Sequence, residues 1–426
     1  MTRPSSMSPL NIDVIAPPFH GHLHPILGIA RVLREHATVR VLTTSDAASR
    51  VKAAGLELFP ILVGQAAAVW RVANTDQPVR GRPWMLWHQF QQNMKLLPPL
   101  RADVESAWQV RRPDLALVDF TLPSVGHWAQ ALGIRWWTSH PSPLAIETHD
   151  GTPTYLGGWK PPASWIGRGR DAVGRGCIRQ FKRLMFALYG RQLRKIGVPA
   201  VYRTDGSEQV YSNELILALG LRELEFPRSW PAAARFIGPV FYTPPGDHAA
   251  VHWDATRKNV LVTLGTHLPY ARQEILRRVS GWARELPDVF LHYTMGGNAA
   301  SSAANGPNWR AYRYIDYESE LGRFDGIVHH GGSGITYYAL RAAVPTVVWP
   351  QDYDQFDFAS RLEHRGLAVW CRTPSAVPTA LKRAILDRAM KERVNDFAAK
   401  LQGDPWRAAV RSLLHEQGFP IATACE

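Results

Sequence analysis

The stretch "GIVHHGGSGITYYALRAAVPTVVWPQDYDQF", residues 326–356, decides how this chain is read. Gly326 to His330 is an apolar run ending in two histidines, the pattern of a buried strand. Gly331, Gly332 and Gly334 follow; without a Cβ they let backbone and ligand approach closely. The spacing then predicts a helix from about Ser333 to Ala343, whose first amides have no intrahelical partner. A strand, a glycine turn and a helix N-terminus together make an anion site, with partial positive charge aimed at the turn. A phosphate or diphosphate suits it, and His330 can donate one further hydrogen bond. "TVVWP" predicts a second strand, and Asp354-Gln355 follows it.

Working outward, the same alternation fills the chain. "NIDVIAPP", "TVRVLTT", "LELFPIL", "DLALVDF" (114–120) and "IRWWTSH" (134–140) read as strands, and "HPILGIARVLREH" as an amphipathic helix. "FIGPVFYTPPGDHAAVHWD" interrupts with prolines and glycines and reads as a linker. The pattern restarts at "NVLVTLGT" (259–266) and runs through "VFLHYTMGG", "WRAYRYI", "GIVHH", "TVVWP" and "LAVWC". Strands alternating with helices predict parallel, doubly wound sheets. Two α/β domains of similar size are therefore expected, meeting near residue 245, with a ligand cleft between them.

Ligands of open α/β sheets bind beyond the carboxyl ends of the strands. His22, Asp119, Thr266, His330 and Asp354 all fall at such ends in this reading. "PPFHGHLHPIL" carries His20, His22 and His24 at the start of a helix. A histidine titrates near neutrality and can take a proton from a hydroxyl, but it needs a partner to orient its other nitrogen. Asp119 ends an otherwise apolar strand, where an acid is rare unless paired. Loop or capping histidines and a helix-capping aspartate are the bland alternatives.

Composition bounds the rest. The 426 residues are 46% hydrophobic and 20% charged, a globular balance. Three cysteines, Cys177, Cys371 and Cys425, cannot build a disulfide framework, which suits a reducing compartment. The first residues lack the apolar core of a signal peptide, and no run reaches the length of a membrane span, so a cytoplasmic protein is expected. The formal net charge is +13. Much of the excess lies in 160–195, where Lys160, Arg168, Arg170, Arg175, Arg179, Lys182, Arg183, Arg191, Arg194 and Lys195 face one acid, Asp171. Ile178, Phe181, Leu184, Met185 and Leu188 interleave at helical spacing. This segment reads either as the solvated face of an ordinary helix or as a basic amphipathic helix for a membrane surface or an anionic acceptor. A nucleic-acid protein using the positive charge would have no reason to place His22, Asp119 and Asp354 on one sheet edge.

These residues resemble a family. "GHLHPILGIARVL" is similar to the amino-terminal signature of family 1 glycosyltransferases, G-H-x-x-P before an aliphatic helix. "HHGGSGITYYALRAAVPTVVWPQDYDQ" is similar to their donor signature, and "PDLALVD", "ALGI", "FIGPV" and "VTLGT" extend the resemblance over both halves. It implies the GT-B architecture: two facing Rossmann-like doubly wound parallel-sheet domains with an interdomain active site. The acceptor-binding domain would cover 1–240, a linker 241–254 and the donor-binding domain 255–402. A C-terminal helix in 403–426 would return to the first domain.

The resemblance implies His22 as general base and Asp119 as its orienting acid. It implies donor contacts from Gly265 and Thr266 beside the diphosphate, and from His330 with the amides of Gly332, Ser333 and Gly334. Asp354 and Gln355 would bind sugar hydroxyls, Tyr314 would stack on the base, and backbone groups of Ile315 and Tyr317 would face the base edge. Three departures stand out: Ile335 where relatives carry Ser or Thr, leaving Thr336 to supply that phosphate contact; "YIDYESEL" without the usual Pro-Gln; and an acceptor half rich in tryptophan. The implied reaction is inverting transfer of a hexose, with glucose from UDP-glucose or a dTDP-sugar as the expected co-substrate. The acceptor would be a hydrophobic small molecule or a lipid, and no cofactor, metal or nucleic acid is implied. A glycolipid-forming transferase at a membrane surface and a GT-B nucleotide-sugar epimerase are the alternatives.

Overall fold

A computed structural model describes residues 10–80, 82–245, 250–265, 269–296 and 305–419. The first sheet contains β1 (Asn11–Ile15), β2 (Thr38–Thr43), β3 (Glu57–Pro60), β4 (Leu115–Asp119), β5 (Arg135–His140), β6 (Ile216–Ala218) and β7 (Ala234–Phe236). Their order is β3-β2-β1-β4-β5-β6-β7, with every pairing parallel. The second holds β8 (Lys258–Thr263), β9 (Val289–Thr294), β10 (Asn305–Gly306), β11 (Trp309–Tyr312), β12 (Gly326–His329), β13 (Thr346–Val348) and β14 (Val369–Trp370). It runs β10-β11-β9-β8-β12-β13-β14, parallel except for the β10–β11 edge. In each sheet the first strand is central, and the chain reverses its direction of travel across the sheet beside it. Crevices of that kind are where such sheets bind ligands.

The strands are mostly apolar, as parallel strands under two helical layers must be. One departure is instructive. Asp13 of β1 and Arg40 of β2 stand opposite each other in register and are both buried. Their carboxylate and guanidinium meet at 2.8 and 3.0 Å, and the Trp108 indole donates to the same carboxylate at 3.0 Å. Neither charge would be tolerated there without the other.

The predicted linker does not hang free. Phe241 and Tyr242 are buried, and Tyr242 packs so closely on Gly28 that a Cβ there would lie 2.9 Å from it. The last helix, Pro405–Glu416, places Trp406, Val410, Leu413 and Leu414 in the core of the first sheet and packs on the helix His20–Leu33. Another hydrophobic core joins the halves directly: Leu144, Leu221 and Phe241 pack with Tyr337, Trp349 and Phe358. No helix among the described residues is long and apolar enough to cross a membrane.

Candidate active site

Two crevices face each other. β1 ends at Ile15, and Phe19 in an extended conformation leads into the helix His20–Leu33. His22 therefore lies in the first helical turn rather than in a loop. Asp119 is the last residue of the adjacent strand β4. The His22 Nδ1 lies 3.1 Å from both Asp119 oxygens, across 97 residues of sequence. Asp119 is fully buried and also accepts from the Thr121 amide at 3.0 Å and the Thr121 hydroxyl at 2.5 Å. A carboxylate only accepts, so Nδ1 carries the proton and Nε2 is left as the basic nitrogen. Phe120 stacks on the imidazole at 5.5 Å and Phe19 meets it edge-on at 6.0 Å.

Burial alone would push the His22 pKa down, but the charge and hydrogen bond of Asp119, with Asp354 nearby, outweigh it and raise the value. For Asp119 burial acts upward, and His22 and Thr121 together pull it below the usual carboxylate range. The neighbours behave differently. Burial lowers His20 to about 4 and His24 well below its ordinary value, so these two stacked rings, 4.7 Å apart, are neutral at pH 7.

The opposite crevice is built on the stretch quoted first. β12 ends at His329, whose Nδ1 accepts the Gly331 amide at 2.9 Å; this histidine is buried and holds the turn. His330 swings the other way, against Gly265 and Gly332. A Cβ on Gly265 would lie 2.8 Å from the imidazole, and φ there is +68°, so glycine is required twice over. Burial lowers His330 to about 4, so the ring is neutral. The helix Ser333–Arg341 starts at Gly332 with no side-chain cap, leaving its first amides to whatever enters the crevice. Thr336 is buried and does not reach the crevice, so it does not replace the hydroxyl missing at Ile335.

The Asp354–Gln355 pair is already engaged. Asp354 accepts from the Ser142 hydroxyl of the first half. The Gln355 Oε1 accepts the amides of Gln351 at 2.9 Å and Asp352 at 3.1 Å, shaping its own loop. Further contacts bridge the halves. Asp352 takes the Val79 and Arg80 amides at 2.5 and 2.9 Å, Gln89 donates to the Tyr353 hydroxyl at 2.8 Å, and Ser333 donates to the Pro141 carbonyl at 2.5 Å. Sequence reading misses all of these, since partners 192 to 273 positions apart leave no local pattern.

One cavity of about 1010 Å³ connects the crevices. His22 lines it together with Gly265, Tyr314, Ile315, Tyr317, His330, Gly332, Ser333, Gly334, Asp354 and Gln355, while Asp119 supports His22 from behind. Thr266 lies outside the described residues. Tyr314 stacks on Tyr317 at 6.2 Å, and Tyr317 shares a 2.8 Å hydrogen bond with the Thr263 hydroxyl. Away from the second crevice the walls are apolar: Leu86, Phe90 and Leu97 from the helix Pro83–Val110, and Phe181, Met185 and Phe186 from the helix Trp165–Lys195. Lys182 and Glu208 add one charged wall, with Lys182 paired to both Glu147 and Glu208. Among the described residues no three His, Cys, Asp or Glu side chains are grouped to hold a metal ion.

Comparison with known proteins gives this geometry its context. Residues 293–416 match the family model described as "Erythromycin biosynthesis protein CIII-like, C-terminal domain". Across both halves the chain superposes on the glycotransferase of kitacinnamycin, with a TM-score of 0.72, 23% identity, and 97% and 100% of the two chains covered. The chain has the GT-B fold. The glycosyltransferase SsfS6 of Streptomyces sp. SF2575, solved with thymidine diphosphate, shares this fold, with a TM-score of 0.64, 20% identity, and coverage of 96% and 100%. A sterol 3-beta-glucosyltransferase of Komagataella phaffii is 33% identical over 108 residues, 25% of this chain and 9% of that protein. The chain thus spans less than a tenth of the length of that curated relative.

Proposed function

We propose that this GT-B protein is an inverting glycosyltransferase that moves a hexose from a nucleotide diphosphate donor to a hydroxyl of a hydrophobic acceptor. One observation carries the reading: the His22–Asp119 pair and the uncapped start of the helix Ser333–Arg341 face one cavity from opposite sheets. The first is a base with its orienting acid, and the second is a seat for a leaving diphosphate.

In this mechanism His22 Nε2 takes the acceptor's hydroxyl proton as its oxygen attacks the anomeric carbon. The bond from that carbon to the diphosphate oxygen breaks, and the electron pair leaves with the diphosphate. Asp119 stabilises the imidazolium that forms. The helix amides and His330 stabilise the charge on the leaving group, as fixed dipoles that need no reorganisation. Attack opposite the leaving group inverts the anomeric centre. Asp354, released from Ser142, and Gln355 would receive the sugar hydroxyls, and Tyr314 would face the base.

UDP-glucose and dTDP-glucose are the proposed donors; the thymidine diphosphate held by SsfS6 supports including the second. The apolar walls and the sterol-acting relative support a hydrophobic acceptor. They also favour transfer over donor isomerisation, which would leave that part of the cavity without purpose. The test is a screen of phenolic, polyketide-like and sterol acceptors with each donor, read by mass spectrometry against a donor-only control. A β-glycoside formed only when acceptor is present is expected. Conversion of the donor alone would replace this reading with the isomerase.

A further inference from the structure

The basic helix does more than wall the cavity. Trp165–Lys195 carries nine basic residues against one acid, Asp171, which is buried. Arg170, Arg179 and Lys182 are paired with carboxylates on the inner side. Arg168, Arg183, Arg191, Arg194 and Lys195 are exposed and, among the described residues, make no ion pair. Ile166, Val173, Leu184 and Leu188 recur at intervals of seven, eleven and four, forming one stripe, and all are exposed. Trp84 and Trp87 on the helix Pro83–Val110 widen this apolar surface, and Trp87 packs on Tyr189 at 5.0 Å. Phe181 belongs to both places: it lines the cavity and is 47% exposed, so it marks the mouth.

An exposed apolar stripe among charges of a single sign is an unstable face in water and a suitable one at an anionic bilayer. Leucines and tryptophans enter the interface while arginine and lysine stems extend to the phosphates. We propose that this face docks on a membrane surface of anionic phospholipid, setting the cavity mouth against the lipid from which a hydrophobic acceptor enters. Only the entry of an acceptor from the lipid rests on the proposed transfer reaction. The docking itself is independent of it.

Co-sedimentation of the full chain with phosphatidylglycerol vesicles and with phosphatidylcholine vesicles tests this. Binding to the anionic vesicles and not to the zwitterionic ones is expected, weakening as salt screens the charges. Leu184→Ser/Leu188→Ser should lower vesicle affinity by at least about tenfold. Arg191→Gln/Arg194→Gln/Lys195→Gln should lower it by roughly two orders of magnitude. Neither set lines the cavity, so thermal unfolding and nucleoside diphosphate affinity should be unchanged in both. A well-folded wild-type chain that ignores both vesicle types would overturn the proposal. So would a wild-type dimer that Leu184→Ser/Leu188→Ser dissociates and that binds no vesicle, since the stripe would then face a second copy. Lack of any transfer activity with vesicle binding intact would count against the proposed function alone.

Discussion

The two crevices are built on closely related sheets and differ in their electrostatics. The crevice of the first half sets its candidate base in one hydrogen-bonded pair, His22 on a buried Asp119, among phenylalanines. The second half uses almost no formal charge at the turn: neutral His330, glycines and the open end of a helix. On the proposed mechanism the difference follows from what each would handle. A base has to change protonation state, so it needs a partner that tunes a pKa. A seat for a diphosphate has to leave the ligand's charge as it is, so fixed dipoles suffice. The comparison teaches that damage to one crevice should appear in turnover and damage to the other in donor affinity.

The largest effect should come from the His22–Asp119 pair. His22→Ala is expected to cost about two to four orders of magnitude in kcat, the scale of removing a general base. If His20→Ala were crippling and His22→Ala benign, the roles assigned within "HGHLH" would be wrong. A second way to strain the comparison is pH. His22 acts as a base only when neutral, and its pKa is raised, so kcat should fall on the acid side with a midpoint above the ordinary imidazole value of about 6.5. Asp119→Asn removes the raising charge and should move that midpoint toward acid while lowering the plateau. A profile unmoved by Asp119→Asn would separate the pair. A smaller effect belongs to the sugar end. Asp354→Ala and Gln355→Ala should each weaken the intact sugar nucleotide by roughly tenfold, the worth of one or two hydrogen bonds, and spare the nucleoside diphosphate. Calorimetry with both ligands checks this. Equal losses for both would show that the loop is only a structural unit.

Much of this was legible in the sequence, for physical reasons. Period and punctuation are local, so the strand (read to His330, observed to His329), the glycine turn and the helix beginning at Ser333 could be read from residues 326–356. The edge rule then gathered His22, Asp119, His330 and Asp354 without any knowledge of contacts. What could not be read is what depends on closure. Nothing local tells that Ser142 holds Asp354 or that Asp352 caps the Val79 and Arg80 amides. The basic helix shows the same limit. Its periodicity gave one apolar face, but the structure splits those residues: Met185 and Phe181 face the cavity, while Leu184 and Leu188 face outward. Helical spacing states which residues are neighbours on a helix, and packing decides what lies opposite them.

The separation of the two crevices is the central claim, and a pair of binding isotherms tests it directly. Titration of UDP, and of thymidine diphosphate, into the His330→Ala and His22→Ala variants should give opposite outcomes. His330→Ala loses a hydrogen bond to phosphate worth roughly 1.5–3 kcal/mol, so its affinity should fall by about one to two orders of magnitude. His22→Ala should bind as the wild type does, because the base faces the acceptor. Equal weakening in both variants, or loss in His22→Ala alone, would contradict the account.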